Sequence, residues 1–303
     1  MKEITIPKSP IQPLIIQNGI KVDVLREDLN HPLIQGNKFR KLKYNLLEAK
    51  RLNHDTLLTF GGAFSNHIHA TAAAAKSFGF KSVGIIRGEE LENKSLNPTL
   101  KEAQEMGMKL IFKSRSEFRQ ITQHHDYQKL ENEFPHTYII PEGGSNELAV
   151  KGCAEILDER TSDYDYICVS MGTGATMSGI IRASKSHQKV LGFPALKDSG
   201  FLKNNIENYT PRQNYEIINA YHFGGYAKFT DVLIKFVTNF NVSFEIPIEP
   251  IYTGKAFFGV LDLLKNDYFY QNSKILIIHT GGLQGIKGFE LMHKRNDFNT
   301  KHE

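Results

Sequence analysis

Cysteine is scarce in this sequence, with two in 303 residues. Cys153 and Cys168 have no metal-ligand spacing, and one pair makes no disulfide framework. A chain so poor in thiols fits a reducing cytoplasm. Long apolar runs are missing too. The opening residues MKEITIPKSP lack the apolar core of a signal peptide, and no later segment approaches the length of a membrane span. The expectation is a soluble protein with no membrane partner. Charge of one sign is not in excess either: 37 basic against 33 acidic residues leave +4, with the acidic residues interleaved. That excludes a basic stripe suited to tracking nucleic acid. Repeats, low-complexity segments and flexible linkers are also lacking.

What is present is a globular composition, 40% hydrophobic and 23% charged, enough for a large core and two lobes. The apolar runs Leu14 to Ile16 and Val22 to Leu25, on either side of Asn18-Gly19, read as a small hairpin. A helix follows over 38–52, with Phe39, Leu42, Leu46 and Ala49 on one stripe and Asn37 placed to cap it. From there strands alternate with helices. Thr56 to Phe60 meets Gly61-Gly62, and the alanine-rich segment Asn66 to Phe78 ends at Gly79 as a glycine-capped helix does. Ser82 to Arg87 and Lys109 to Phe112 read as strands around a helix that Asn97-Pro98 opens and Gly107 stops. Glu117 to Phe134 is helix-compatible without marked ends. Further strands are expected at Tyr138 to Ile140, Tyr166 to Ser170, Lys189 to Phe193, Tyr215 to Ile218 and Lys274 to Ile278. Further helices are expected from Ser145 through Leu157, at Met177 to Ala183, at Val232 to Phe240, and from the YTGK segment at 252–255 to Leu264. This alternation predicts an α/β fold of open parallel sheets. A composition shift near 143–146 predicts a smaller α/β domain at 42–145, inserted into a larger one of residues 1–41 and 146–303.

In such sheets ligands bind beyond the carboxyl ends of the strands, where loops feed helix N-termini. Four glycine turns fall there. Gly172, Thr173, Gly174, Ala175 and Thr176 offer successive N–H groups, two hydroxyls and a helix dipole, a cup suited to phosphate. The turn lacks both the Gly-Lys-Ser/Thr of a triphosphate loop and G-x-G-x-x-G, and alone it reads equally as a tight turn. After Gly61-Gly62, Ser65 and Asn66 either cap a helix or, with His67 and the N–H groups there, bind a substrate carboxylate. His67 and His69 are two apart and share no helix face, which argues against a metal. In QGNKFRKL at 35–42, Lys38 sits where loop becomes helix, its backbone pinned and its amine able to reach a cleft. Taken alone, Lys38, Arg40, Lys41 and Lys43 read as a solvated basic face.

Taken in order, GNKFRKL, GGAFSNH, PEGGSN, GTGAT, YTGK and HTGG resemble the family of 1-aminocyclopropane-1-carboxylate (ACC) deaminase and D-cysteine desulfhydrase, from Lys38 to Gly282. The resemblance implies the tryptophan synthase β-subunit type of fold (fold type II), pyridoxal 5′-phosphate as cofactor, a small amino acid as substrate, and a homodimer. It makes Lys38 the Schiff-base lysine, Asn66 the partner of the cofactor's phenolic oxygen, and Gly172 to Thr176 the phosphate cup. Ser65 faces the substrate with Asn66 and His67 beside it, Tyr252 lies against the ring, and Thr280 meets the pyridine nitrogen. Arg40 and Lys41 are near enough in sequence to lower the pKa of the Lys38 amine, which then adds to an aldehyde and serves as a base. A hydroxyl at Thr280 tempers the ring as an electron sink and favours elimination at the β-carbon. Tyr252 either steers or protonates the leaving group, or only stacks in the site.

The chain departs from ring-opening deaminases in carrying Ile277 where they have a tyrosine. That ranks D-cysteine, cleaved to pyruvate, ammonia and hydrogen sulfide, ahead of ACC. A cofactor- or phosphate-binding protein with little turnover is the alternative of another class, and nucleic-acid binding a distant third.

Overall fold

The computed structural model describes residues 4–14, 19–124, 127–197 and 199–288. In chain order the elements are β1 (Ile11–Leu14), β2 (Lys21–Leu25), α1 (Asn37–Arg51), β3 (Thr56–Gly62), α2 (Asn66–Phe78), β4 (Lys81–Arg87), α3 (Pro98–Glu105), β5 (Met108–Lys113), α4 (Arg115–His124), α5 (Gln128–Glu133) and β6 (Thr137–Ile140). They continue as α6 (Glu147–Ala154), β7 (Tyr166–Met171), α7 (Ala175–Ala183), β8 (Lys189–Pro194), α8 (Gly200–Tyr209), β9 (Tyr215–Ile217), α9 (Asp231–Phe244), α10 (Thr253–Lys265) and β10 (Lys274–Ile278).

Two compact units result. The first holds Met1–Tyr44 and Glu147–Leu283, and the second holds Asn45–Asn146, which the chain re-enters at Gln284. The first unit has a six-stranded sheet in the order β1-β2-β10-β7-β8-β9, the second a four-stranded sheet β5-β4-β3-β6. All pairings are parallel except β1 with β2. Both sheets are covered on both faces, which is why their strands read as unbroken apolar runs. In the first unit, Val24, Cys168, Leu191 and Ile277 face α9 and α10, while Leu25, Val169, Val190 and Ile278 face α7 and α8. In the second, Leu58, Phe60 and Val83 meet Phe118 of α4 and Leu130 of α5, and Ile86 and Met108 meet Ile68, Leu100 and Ala103 of α2 and α3. Each fully buried leucine or isoleucine contributes about 1.5–3 kcal/mol.

The structure adds to the sequence reading and corrects it locally. The first strand lies at Ile11–Leu14, and Ile15–Asn18 of the expected hairpin fall outside the described residues. The region 117–134 resolves into α4 and α5, and α8 was not anticipated, because only Leu202 and Ile206 of that helix are buried and Phe201 is 47% exposed. The helix expected from Ser145 through Leu157 is shorter, Glu147–Ala154. It packs so closely on α1 that a Cβ on Gly152 would lie 2.0 Å from the Arg40 carbonyl oxygen. Asn37 does not cap α1 but begins it. Among the described residues no helix is long and apolar enough to cross a membrane, and both cysteines are free and buried.

Candidate active site

In the first unit, the strand order sets β10 between β2 and β7, so the turns after these strands share the sheet's carboxyl edge. Ile278 stands in register with Val169, which carries Thr280 alongside Ser170; their hydroxyls share a 2.8 Å hydrogen bond. The Thr280 carbonyl accepts the N–H of Asn37 at 3.1 Å. Gly36, at φ +69, permits this approach: a Cβ there would lie 1.9 Å from the Thr280 oxygen. The Asn30 side chain grips the same turn, donating to the Gly36 carbonyl and accepting its N–H, both at 3.0 Å. Lys38 therefore leaves a backbone fixed from two sides.

Its half-buried side chain donates from Nζ to Oδ1 of Asn37 at 3.1 Å, and Asn37 in turn donates to the Thr176 hydroxyl at 2.9 Å. Burial, and then the neighbouring charge of Lys41, pull the Lys38 pKa from 10.5 down to about 7, against the opposing pull of Glu249. Arg40 is not part of this effect. Its guanidinium is turned to Glu27 and held there by two 2.8 Å bonds, so its charge is already matched. Lys41, 3% exposed, lies within 3.4 Å of the Thr173 hydroxyl, and burial lowers its pKa too. Three residues after Lys38, it shares that helix face, a spacing from which its direction could have been read.

With that pKa the fraction of Lys38 amine without a proton is substantial near neutrality and rises as pH passes about 7. Reaction of the cofactor-free protein with a small aldehyde, trapped by borohydride and located by peptide mass, is expected to accelerate from about pH 6 and level off above about pH 8. A rate at Lys38 still climbing beyond about pH 9 would mark an ordinary lysine.

Gly172 to Thr176 form the start of α7. Gly174, at φ +97, is the N-cap and supplies no side chain to the first N–H groups. A Cβ on Gly172 would come within 3.3 Å of the Tyr252 ring, so the loop is a shallow cradle under that ring. The N–H groups at this helix start, the hydroxyls of Thr173 and Thr176, and the Lys41 amine are a donor set that fits a phosphate ester. Tyr252 is itself fixed, since the buried carboxylate of Glu249 accepts the N–H groups of Ile251, Tyr252 and Thr253 at 2.6, 2.8 and 2.7 Å. Tyr226, unnoticed in the sequence, meets Tyr252 edge to face at 5.9 Å.

In the second unit, Ser65 caps α2, its Oγ accepting the N–H of Ile68 at 3.3 Å. Asn66 opens the helix and accepts a 2.7 Å hydrogen bond from Gln284. His67 differs from expectation. Its ring is 1% exposed, bonded through Nε2 to the Thr59 hydroxyl at 2.7 Å and packed against Gly144, where a Cβ would lie 2.9 Å from it. One step along a helix turns a side chain by about 100°, and here that step takes His67 inward as a support for the Pro141–Gly144 turn. Ile277 likewise sits in the apolar layer beneath α10 and not at the carboxyl-edge turns.

The sequence matches the family described as pyridoxal-phosphate dependent enzyme over residues 5–281. A putative 1-aminocyclopropane-1-carboxylate deaminase of Thermotoga maritima is 30% identical, over 94% of this chain and 96% of its own length. The bifunctional D-cysteine desulfhydrase/1-aminocyclopropane-1-carboxylate deaminase of Arabidopsis thaliana is also 30% identical, over 89% of this chain and 74% of that protein. A solved structure described as an ACC deaminase homologue superposes with a TM-score of 0.79 at 28% identity, covering 95% of this chain and 94% of that one.

Proposed function

The chain belongs to the pyridoxal-phosphate dependent enzyme family, and on that premise we propose that it is a lyase that eliminates the β-substituent of a small amino acid. D-cysteine is the first substrate, converted with water to pyruvate, ammonia and hydrogen sulfide; ACC, which has no Cα–H and would instead be opened at its ring and converted with water to 2-oxobutanoate and ammonia, is the alternative. The two parallel sheets are those of the tryptophan synthase β-subunit type, fold type II, as the resemblance implied. The observation that carries the reading is the Lys38 amine, with its pKa near 7, on a helix start tied to the 172–176 loop.

When bound, the cofactor contributes an aldehyde and an electron-withdrawing ring that acidifies the substrate's Cα–H. The chain's own residues then divide the work. The open end of α7, the hydroxyls of Thr173 and Thr176, and Lys41 hold the phosphate. Gly172, Gly174 and Ala175 leave room for it. Thr280, hydrogen-bonded to Ser170, offers the pyridine nitrogen a neutral hydroxyl, which does not hold a proton there as a carboxylic acid would. Neutral Lys38 removes the Cα proton at Nζ. By the resemblance, Asn66 would take the phenolic oxygen, and Ser65 with the N–H groups behind it would orient the substrate carboxylate. Tyr252 would lie against the ring and steer or protonate the leaving thiolate. We place the enzyme in the cytoplasm as a homodimer; light scattering that returns the mass of one chain would overturn the dimer.

Keto-acid release, assayed with D- and L-cysteine and with ACC, tests the function. Pyruvate from D-cysteine is expected. A cofactor-loaded protein that releases keto acid from none of them would leave only a binding role. Ser65→Ala is expected to keep the cofactor's visible absorbance while raising KM roughly tenfold or more, the loss of one hydrogen bond to a charged group, about 1.5 kcal/mol. It also removes the α2 cap, so Tm should fall by the equivalent of about 1 kcal/mol. An unchanged KM would remove Ser65 from the substrate's contacts.

A further inference from the structure

Lys255, the last residue of the YTGK motif, has no part in the chemistry just described, yet it is one of the largest fully buried side chains, at 0% exposure. Its Nζ donates to three backbone carbonyls: Gly225 at 2.7 Å, His222 at 2.9 Å and Ala195 at 3.4 Å. An ammonium has three donors and no acceptor, so the cage satisfies it completely. Two of the three oxygens belong to one loop, residues 222–228, and that loop is strained. Phe223, Gly224, Gly225 and Ala227 have φ of +50, +91, +112 and +55, a region that phenylalanine and alanine rarely enter. Backbone of this kind persists only where its surroundings hold it.

The loop's product is the placement of Tyr226. That side chain is 40% exposed and is seated against Tyr252, the ring that lies over Gly172. We propose that Lys255 is a positioning residue of the lyase: by fastening the 222–228 loop to α10 through its carbonyls, it keeps the Tyr226 ring against Tyr252 at the substrate's side of the site. The two tyrosines then owe their positions to two buried charged groups on neighbouring turns of one segment, Tyr252 to Glu249 and Tyr226 to Lys255. The proposal rests on the lyase reading for its catalytic consequence and on the carbonyl cage alone for its structural one.

The test uses Lys255→Met, close in volume but without donors, Tyr226→Ala, and the double variant. Lys255→Met is expected to retain the cofactor's visible absorbance and to lower kcat by roughly tenfold or more, as misplaced groups do. In the Tyr226→Ala background it is expected to cost no further kcat, because both changes remove the same placement. In cofactor-free protein, trypsin should cut after the exposed Lys228, whose N–H also bonds the Gly225 carbonyl, roughly tenfold faster than in the parent. A kcat loss that persists in full in the Tyr226→Ala background, or cleavage at the parent rate, would overturn the proposal. Should Lys255→Met not fold, Gly224→Ala strains the same loop with the amine in place. Reduced kcat with retained absorbance supports the proposal there, and parent kcat overturns it. If the parent enzyme itself releases no keto acid, the lyase reading fails, while the protease rate still decides whether Lys255 holds the loop.

Discussion

Lys38→Ala is expected to abolish lyase activity, with kcat lowered by about 10³-fold or more, since both the covalent anchor and the base are lost. The protein should no longer acquire the visible absorbance of a cofactor held through lysine, although the 172–176 loop can still retain the phosphate. The fold is not expected to suffer. Burial and the Lys41 charge hold the Lys38 pKa at about 7, below its ordinary 10.5. The unfolded chain therefore binds a proton that the folded chain gives up between those two values, and the amine opposes folding at neutral pH. That opposition fades as pH rises toward 10.5. Removing the amine should leave Tm at neutral pH unchanged or higher, so lost turnover would not be a symptom of unfolding. Lys38→Arg is expected to be as inactive, because a guanidinium does not become neutral in the working range. Parent-level pyruvate release by Lys38→Ala would end the mechanism.

The second large effect concerns a pair that touches no ligand. Arg40→Ala is expected to cost about 3–5 kcal/mol, because it leaves the Glu27 carboxylate buried without its partner. For a chain of 303 residues that is a fall in Tm of roughly 5–8 °C. Glu27 is 0% exposed and receives, besides the two bonds from Arg40, the Ser9 hydroxyl at 2.7 Å and the Asn30 amide at 3.1 Å. Asn30 is the side chain that grips Gly36, so the loss should also loosen the turn from which Lys38 projects. Glu27→Gln combined with Arg40→Met is expected to be less damaging than the sum of the two single changes, since neither charge is then stranded. Thermal unfolding of the four proteins measures the coupling, and strictly additive Tm shifts would show that the pair does not act as a unit.

The legible part of this protein was what short-range chemistry dictates. Ser65 before α2, Gly79 after it and Asn97-Pro98 before α3 are local signals, and the helices begin and end at them. The glycine turns after β7 and β10 could be found because apolar runs mark strands and glycine marks where they stop, whereas Gly61 and Gly62 are the last residues of β3 itself. Lys38 stood out through its place between such a turn and a helix stripe. Residues whose partners are far away in sequence were misread or missed. Asn37 looked like a cap, but its amide is taken by Thr176, 139 residues on. Arg40 looked like a neighbour able to depress the Lys38 pKa, but Glu27 claims it. His67 looked like a group facing a ligand and is turned into the interior.

By itself the sequence determined the alternation of strands and helices and the order of the glycine turns, and it singled out Lys38 as the amine proposed to react, because helix caps, periodicity and turn chemistry act over a few residues. Only the tertiary structure decided which side chains meet at those turns. The placing of β10 between β2 and β7 joins Thr280 to Ser170 and to the backbone of Asn37, and the tilt of each side chain toward one face or the other follows from that packing. No local rule specifies it, since it is the burial of both faces of a sheet at once that fixes the register of its strands.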